Sequence, residues 1–330
     1  MTWKRRASRM RAALALLLIA SAAVAGCSST SDSATASETR AVQTDRGSVT
    51  VPSDPKRIVV VNGALAGYLY DLGAPVTAAD PRLLGVSGRS GDFPPAWAED
   101  AKRQGTQVLP VGDKINLEFI ASQHPDLILG GGQGYPAQQS IDAYDQLSAI
   151  APTVLVSATT TNWQDQLRAV ADAVGRGDRV DTLLNAYRDK VKQVKSTIKP
   201  PAGSVAYFQS QKSQQPTLVL PTATLPTLLA EVGIVADDKV LAKAGNPSRN
   251  EAADWFQFSP ELLTAVVDAP VLFVLTLDGG RTATQLATDP MYAKLPAFQQ
   301  NKVFELPASS QRPDYRGVMS TLDLMAERFQ

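Results

Sequence analysis

Side chains that could carry out catalysis are scarce in this sequence. The 330 residues include one histidine, His124, and one cysteine, Cys27, and they contain no Gly-x-Ser-x-Gly motif of the hydrolase type. His124 directly precedes Pro125 in a predicted turn, which is a poor setting for a general base. A site for a bare zinc or manganese ion needs several histidine and carboxylate ligands. The residue types therefore argue against an enzyme and against a receptor for uncomplexed metal ions.

Side chains suited to ligand recognition instead follow the predicted strands. Arginine offers a planar fork of donors, tryptophan and tyrosine offer flat faces, and amides offer both a donor and an acceptor. Ligands of open α/β sheets lie beyond the carboxyl ends of the strands. In the first half, the candidate ligand-binding residues read from strand ends are Asn62, Tyr68, Arg82, Gln133 and Tyr135. The second half offers Gln209, Arg249 with Trp255, Arg281, and the group Arg312, Tyr315 and Arg316. Their chemistry is binding rather than reaction.

A glycine-rich segment, Gly130-Gly131-Gly132-Gln133-Gly134, follows one of these strands. Glycine-rich turns between a strand and a helix can hold phosphate groups. This run does not spell the dinucleotide fingerprint, and no acidic residue lies on a second strand about 20 residues later. We interpret it as a turn in the wall of a ligand cleft, where the backbone can approach closely.

The elements that must position these residues alternate between strands and helices. Short β-branched or apolar runs predict strands at 57–61, 125–129, 152–156, 205–209, 271–277 and 302–306. Helical patterns lie between them, which predicts an α/β fold with mostly parallel sheets covered on both faces. About 300 residues exceed what one core serves well, so we expect two Rossmann-like lobes.

A helix predicted from Asp178 to Ile198 separates the two groups of strands. Apolar residues recur there at helical spacing, without an internal glycine or proline, so one helix of about 30 Å is expected. The predicted organisation is an N-terminal lobe at 45–176, a bridging helix at 177–199 and a C-terminal lobe at 200–330. Periodicity alone leaves open a helix packed within one lobe.

The first 26 residues have the layout of a secretory signal peptide, with five basic residues before an apolar run from Ala12 to Ala25. The run is too short to span a bilayer and ends at Val24-Ala25-Gly26-Cys27. This ending resembles the lipobox of bacterial lipoproteins, which implies lipidation of Cys27. An ordinary signal peptide followed by a free thiol is the alternative. The small polar residues at 27–44 predict a disordered tether.

Removal of the signal peptide changes the charge balance. It takes away five of the 32 Lys and Arg and none of the 32 Asp and Glu, which leaves 27 against 32, a net charge of −5. A mildly acidic surface argues against a nucleic-acid partner, because phosphate binding needs a positive footprint.

The order of these parts resembles the substrate-binding lipoproteins of ABC importers for iron-siderophores, haem and cobalamin, the helical-backbone metal-chelate receptors. The matching phrases are Arg57-Ile58-Val59 with Leu72-Gly73, Asn116 to Ile120 with His124 to Ile128, Gln146 to Val154, and Trp255 with Phe258 to Leu263. The resemblance implies the fold of a class III periplasmic binding protein. It also implies capture of a ferric siderophore in the cleft between the lobes, with the iron carried by the ligand and no resident cofactor.

The resemblance further implies partners and a location. A carboxylate at the rim of each lobe pairs with arginines of the permease dimer in this family, and the matching positions are Glu118 and Glu261. Trp255 lies six residues before Glu261, where related cobalamin receptors place a cleft tryptophan. We expect a monomer held by its lipid on the extracytoplasmic face of the cell membrane. Acidic residues are favoured in the first turn of any helix, so a purely structural role is the alternative for both glutamates.

Two other binding functions stay open at this point, together with a scaffold that retains the fold without a ligand. The ligand could be haem with Tyr68, Tyr135, Tyr207 or Tyr315 as axial ligand, or cobalamin. A helical bridge also predicts only a small closure of the lobes on binding.

Overall fold

A computed structural model of the chain describes residues 38–83 and 92–330. The predicted signal peptide, Cys27 and the predicted tether up to residue 37 lie outside the described residues. Within these two ranges, no helix combines the length and the apolar character needed to cross a bilayer.

The predicted C-terminal limit of the tether, residue 44, is wrong, because the first strand of a β-hairpin begins at Thr39. Strands β1 (Thr39–Thr44) and β2 (Gly47–Pro52) pair in antiparallel fashion. Val42 and Val51 are buried, and the side-chain alternation of a strand turns both toward the protein. The small polar residues around Val42 are typical of a disordered segment, so composition did not predict this strand.

The N-terminal lobe contains one parallel sheet of five strands in the order β5-β4-β3-β6-β7. Its strands are β3 (Ile58–Val60), β4 (Val76–Ala79), β5 (Gln107–Val108), β6 (Leu127–Gly131) and β7 (Thr153–Val156). The predicted strands at 57–61, 125–129 and 152–156 are confirmed. Because all five strands run in the same direction, their carboxyl ends lie at one edge of the lobe.

The C-terminal lobe contains a mixed sheet of five strands in the order β10-β9-β8-β11-β12. Its strands are β8 (Val205–Ser210), β9 (Thr217–Val219), β10 (Trp255–Gln257), β11 (Val271–Thr276) and β12 (Val303–Leu306). β8, β11 and β12 are parallel, whereas β9 is antiparallel to both β8 and β10. Residues 211–216 between β8 and β9 are too few for the crossover that a parallel pair requires.

The described residues also form thirteen α-helices. Those of the N-terminal lobe are α1 (Ala66–Asp71), α2 (Ala98–Gln104), α3 (Leu117–Ser122), α4 (Tyr135–Asp142), α5 (Tyr144–Ser148) and α6 (Trp163–Ala173). Helix α7 (Gly177–Thr197) connects the lobes, as the sequence predicted. The remaining helices are α8 (Thr224–Glu231), α9 (Val240–Lys243), α10 (Leu263–Val266), α11 (Ala283–Ala287), α12 (Pro296–Gln299) and α13 (Tyr315–Arg328).

Among the residues that the structure describes, the two lobes share a core on one side. Leu69 of α1, Leu167 of α6, Leu184 of α7, Leu229 of α8 and Leu322 of α13 belong to one hydrophobic cluster that continues through both lobes. We call this side, with α1, α6, α7, α8 and α13, the bridge side. Such a shared core resists hinge motion, because moving the lobes apart would expose apolar surface.

On the other face of each sheet the cores are separate. Val59, Val61, Ile120 and Leu147 form a cluster under α3 and α5, and a different cluster lies under α9 to α12 in the C-terminal lobe. We call this side, with α3, α5 and α9 to α12, the open side. The strand alternation explains the division, since Ile58 and Val60 join the shared core while Val59 and Val61 turn the other way. A cleft between the lobes can therefore open on this side.

Candidate functional site

Recognition side chains of the N-terminal lobe gather where β4 and β6 end. Arg82 Nε donates to both carboxylate oxygens of Asp80, at 2.9 and 3.0 Å, and Arg82 Nη2 donates to Gln139 Oε1 at 2.7 Å. The guanidinium carbon lies 5.8 Å from the ring centre of Tyr135, which is 59% exposed. Gln133 is partly exposed in the turn that precedes Tyr135. The structure thus places Arg82 beside Tyr135, with Gln133 two residues before Tyr135 in the same turn.

Two other candidates of this lobe are buried. The amide of Asn62 donates to Gly131 O at 2.7 Å and its Oδ1 accepts from Ala64 N, so the side chain caps a helical turn. Tyr68 is fully buried and its hydroxyl donates to Gln166 Oε1 at 3.2 Å. The prediction that Asn62 and Tyr68 meet the ligand is therefore corrected. A position near a strand end does not reveal on which side of the backbone a side chain lies.

The close packing around Asn62 also accounts for Gly63. A β-carbon at this position would lie 2.4 Å from Asp80 O and 2.5 Å from Arg82 O. Glycine thus lets the turn after β3 contact the segment that carries Arg82. The segments that follow β3 and β4 are therefore packed directly against each other.

In the C-terminal lobe, the ends of β8 and β11 are joined through Arg281. Its backbone nitrogen donates to Ser210 Oγ at 2.8 Å, and its guanidinium donates to Asp289 Oδ2 at 2.8 Å. The guanidinium carbon lies 4.9 Å from the ring centre of Tyr292. Gln209 is buried beside Ser210, and its Oε1 has no hydrogen-bond partner among the described residues. Arg281 is partly exposed, whereas Gln209 is buried, so the prediction that Gln209 meets the ligand is corrected as well.

A second group in this lobe surrounds Trp255. Asn250 Oδ1 accepts from the backbone nitrogens of Asp254 and Trp255, and the Asn250 amide donates to Asp254 Oδ1 at 2.7 Å. This turn directs the Asp254 carboxylate to Arg312, whose Nη2 donates to Oδ1 at 3.0 Å. Trp255 and Arg312 are partly exposed, and Arg249 is exposed beside β10. Arg249, Trp255 and Arg312 therefore lie within one region of the lobe.

The start of α13 joins the lobes on the bridge side, which no sequence pattern indicated. Arg316 Nε donates to Asp71 Oδ1 at 2.6 Å, and Arg316 Nη1 contacts Asp100 and donates to Ala96 O at 3.1 Å. Neighbouring Tyr315 lies against Trp163, with 6.1 Å between ring centres. Arg316 and Tyr315 therefore contact the N-terminal lobe, and the role expected for Arg316 in the cleft is corrected.

Glycine makes this junction possible. A β-carbon on Gly67 of α1 would lie 1.8 Å from Asp314 Oδ2, and the other oxygen of Asp314 accepts from Gly317 N at 2.8 Å as the cap of α13. The partners are more than 200 residues apart along the chain. Sequence separation of this size hides the contact from any local pattern.

Burial shifts the pKa values of side chains at the junction between the start of α13 and α1. Desolvation raises the pKa of Asp71 to about 7, although the Arg316 charge opposes the shift, and nearby Asp314 adds to it. Desolvation also raises the pKa of Asp314 and raises that of the Tyr68 hydroxyl well above its usual range. Asp71 Oδ2 has no hydrogen-bond partner among the described residues, which fits a carboxyl that holds a proton readily. The junction therefore changes its charge near neutral pH.

Both glutamates expected at the rim are exposed on the open side. Glu118 lies in the first turn of α3, where the Asn116 side chain accepts from Phe119 N at 2.9 Å. Glu261 lies in the helical turn Pro260–Leu262 that leads into α10, and its carboxylate contacts Ser259 Oγ. Because α3 and α10 cover the separate cores, the two carboxylates flank the side on which the lobes diverge.

A cavity of about 380 Å³ lies on the bridge side, lined by Asn162, Trp163, Tyr187, Thr224 and Glu231 among others. Tyr187 donates to Glu231 Oε1 at 2.6 Å, so α7 and α8 are tied together at its wall. We place the ligand site at the strand ends rather than here, because the exposed arginine, tyrosine and tryptophan side chains lie at the strand ends. No group of three or more His, Cys, Asp or Glu side chains in residues 38–83 and 92–330 is arranged to hold a metal ion.

Comparison with known proteins agrees with this architecture. The sequence profile of the periplasmic binding protein family matches residues 58–310, and the chain belongs to that family. The chain is 28% identical over 294 residues to the ferric enterobactin-binding periplasmic protein FepB of Escherichia coli O6:H1 (strain CFT073), which covers 88% of this chain and 91% of that protein. It is also 28% identical over 318 residues to the probable siderophore-binding lipoprotein YfiY of Bacillus subtilis (strain 168), covering 92% and 91%.

Solved structures give the same result. The crystal structure of holo-ViuP superimposes with a TM-score of 0.74 at 25% identity, covering 88% of this chain and 95% of that chain. The Bacillus subtilis protein FeuA, solved with ferri-bacillibactin, superimposes with a TM-score of 0.66 at 18% identity and supports the fold alone. The class of this protein is therefore that of the substrate-binding proteins with two α/β lobes and a helical bridge.

Proposed function

We propose that this protein captures a ferric siderophore in the cleft between its lobes and delivers it to the permease of an ABC importer. The observation that carries the proposal is the set of partly exposed arginine and aromatic side chains in both lobes, among them Arg82, Arg281 and Trp255. Relatives named for siderophore binding match along nine-tenths of the chain. The iron is cargo that arrives within its chelator, and the protein binds it without chemistry, as befits a family of substrate-binding proteins.

The same proposal includes a location and a partner. Glu118 and Glu261 are the docking carboxylates for the permease dimer, and their exposure on the open side supports this role. Lipidation of Cys27 holds the protein on the extracytoplasmic face of the membrane. Names of relatives such as the siderophore-binding lipoprotein YfiY support the anchored location. We propose that the receptor acts as a monomer.

Tryptophan fluorescence tests the ligand directly, because the tryptophans of the described residues differ in exposure. Trp97 and Trp163 are buried and Trp255 is partly exposed. The purified full chain is titrated with ferric siderophores, haem and cobalamin. We expect saturable quenching at roughly sub-micromolar ferric siderophore, and an affinity about tenfold weaker in Trp255→Ala.

Tyr68→Phe is the matched control in that titration. The hydroxyl it removes contacts Gln166 inside the lobe, so the affinity should stay within about twofold of the parent. Saturation by haem with a Soret band, or by cobalamin, would assign the cleft to another ligand. A flat response to every compound would leave a scaffold as the function.

A further inference from the structure

We propose that the cleft is electrostatically compensated and selects ferric chelates of low net charge, such as a neutral trihydroxamate complex, over highly anionic ones. This inference rests on the proposed function, since it names the class of siderophore bound at the same site. Three arginines expected to contact an anionic ligand are each already paired with an aspartate of the chain. The pairs are Arg82 with Asp80, Arg281 with Asp289 and Arg312 with Asp254.

The aspartates are held in place by contacts of their own. Asp80 is buried, and its Oδ1 also accepts from Arg82 N at 2.8 Å. Asp289 Oδ1 accepts from Met291 N at 2.9 Å while its Oδ2 accepts from Arg281. Asp254 is fixed by Asn250, as described above. Each carboxylate is therefore positioned by hydrogen bonds with the surrounding chain as well as by its arginine.

These pairs limit what the arginines can offer to a ligand. An arginine that turned to an anionic chelate would leave its aspartate without a partner in a partly buried site, which is strongly unfavourable. An arginine that keeps its aspartate can still donate from its free N–H groups, because a guanidinium has five donors. A neutral ligand with carbonyl or hydroxamate oxygens can accept such bonds without needing a free positive charge.

Exposed charges of both signs lie close to the strand ends. Arg249 and Lys212 are exposed there, and so are Asp113 and Asp278. Lys212 contacts Gly279 next to Asp278, and Tyr135 donates to Asp113 O at 3.3 Å, which places these residues at the ends of β8, β11 and β6. These exposed groups carry both signs, and salt screens them more strongly than the buried pairs.

Titration with two ferric complexes of opposite character tests the proposal. Fluorescence of the purified full chain is followed with ferrichrome, a neutral trihydroxamate complex, and with ferric enterobactin, a trianionic tris-catecholate complex. We expect the dissociation constant for ferrichrome to be at least about tenfold lower. In the double variant Asp254→Asn/Asp289→Asn, which frees Arg312 and Arg281, the preference should move toward ferric enterobactin by about tenfold or more and the binding should depend more steeply on salt.

Asp165→Asn is the control, because it removes the partner of Arg168 in an exposed pair that includes none of the candidate ligand-binding residues. The ratio of the two dissociation constants should not change in this variant. Tighter binding of ferric enterobactin by the parent, with no further gain in the double variant, would overturn charge compensation and leave the siderophore receptor intact. Failure of both complexes and of every other ferric chelate to bind would overturn the proposed function together with this inference.

Discussion

Reversing the charge of both Glu118 and Glu261 to arginine is expected to abolish uptake while ligand binding stays intact. In the proposed complex each glutamate meets arginines of the permease, and the change replaces two attractive contacts by two repulsive ones. Like charges placed against each other at an interface cost several kcal/mol, so the affinity for the permease should fall by at least about a hundredfold. Uptake of radioactive ferric siderophore by cells and fluorescence titration of the purified variant measure the two effects separately.

The matched control for that experiment uses two acidic residues in similar positions on the bridge side. Asp165 lies in the first turn of α6 and Asp178 in the first turn of α7, and both are exposed. Arginine at these two positions should leave uptake unchanged. Normal uptake in the Glu118/Glu261 variant would instead show that acids in first turns serve only their own helices here.

The second large effect expected is a dependence of stability on pH at the junction between the lobes. The pKa of Asp71 is about 7 in the folded protein, against an ordinary value of 3.8. Between these values the folded state binds the proton and the unfolded state has released it, so the folding free energy weakens as the pH rises. The difference between the two pKa values corresponds to a loss of about 4 kcal/mol of folding free energy at high pH. About 1 kcal/mol of this loss occurs between pH 6 and pH 8.

Asp71→Asn should remove this part of the pH dependence. The variant resembles the protonated carboxyl, so it should be more stable than the parent at pH 8, and the difference should shrink toward pH 5. Asp314, Arg316, Asp100 and Tyr68 face the same junction and remain in place. Urea unfolding followed by circular dichroism at a series of pH values measures the free energy of unfolding.

Asp165→Asn serves as the control for this experiment as well, because Asp165 is exposed and paired only within its own helix. Its stability should follow the parent at every pH. If Asp71→Asn retained the full slope of the parent between pH 6 and pH 8, the titration of Asp71 would not govern the junction.

Much of the fold was predictable because local sequence carried it. The β-branched runs that became β3, β6, β7, β8, β11 and β12 alternate between two cores, and such runs bounded by turn residues are the strongest signal of a buried strand. The bridging helix α7 was predicted within a residue or two, since its apolar positions recur at helical spacing over 21 residues. Strands β4, β5, β9 and β10 were missed because two to four residues are too few to show a period.

Site residues were likewise predictable where local sequence determined their position, and not where distant segments did. Arg82 and Tyr135 lie close together because parallel strands place their carboxyl ends at one edge. Asn62 and Tyr68 also follow a strand of this sheet, but their side chains are buried inside the protein. The side of the backbone on which a residue lies follows from packing with distant segments, such as Gln166 against Tyr68, and these segments are not visible in a local pattern.

The sequence by itself determined the alternation of strands and helices and the long bridging helix, and its matching phrases indicated the family. Only the tertiary structure decided which arginines are compensated by aspartates and that Arg316 fastens one lobe to the other. The reason is physical. Secondary structure depends on residues a few positions apart, whereas the charge of a cleft and the contact between lobes depend on groups such as Arg316 and Asp71, which lie 245 positions apart and meet only after folding.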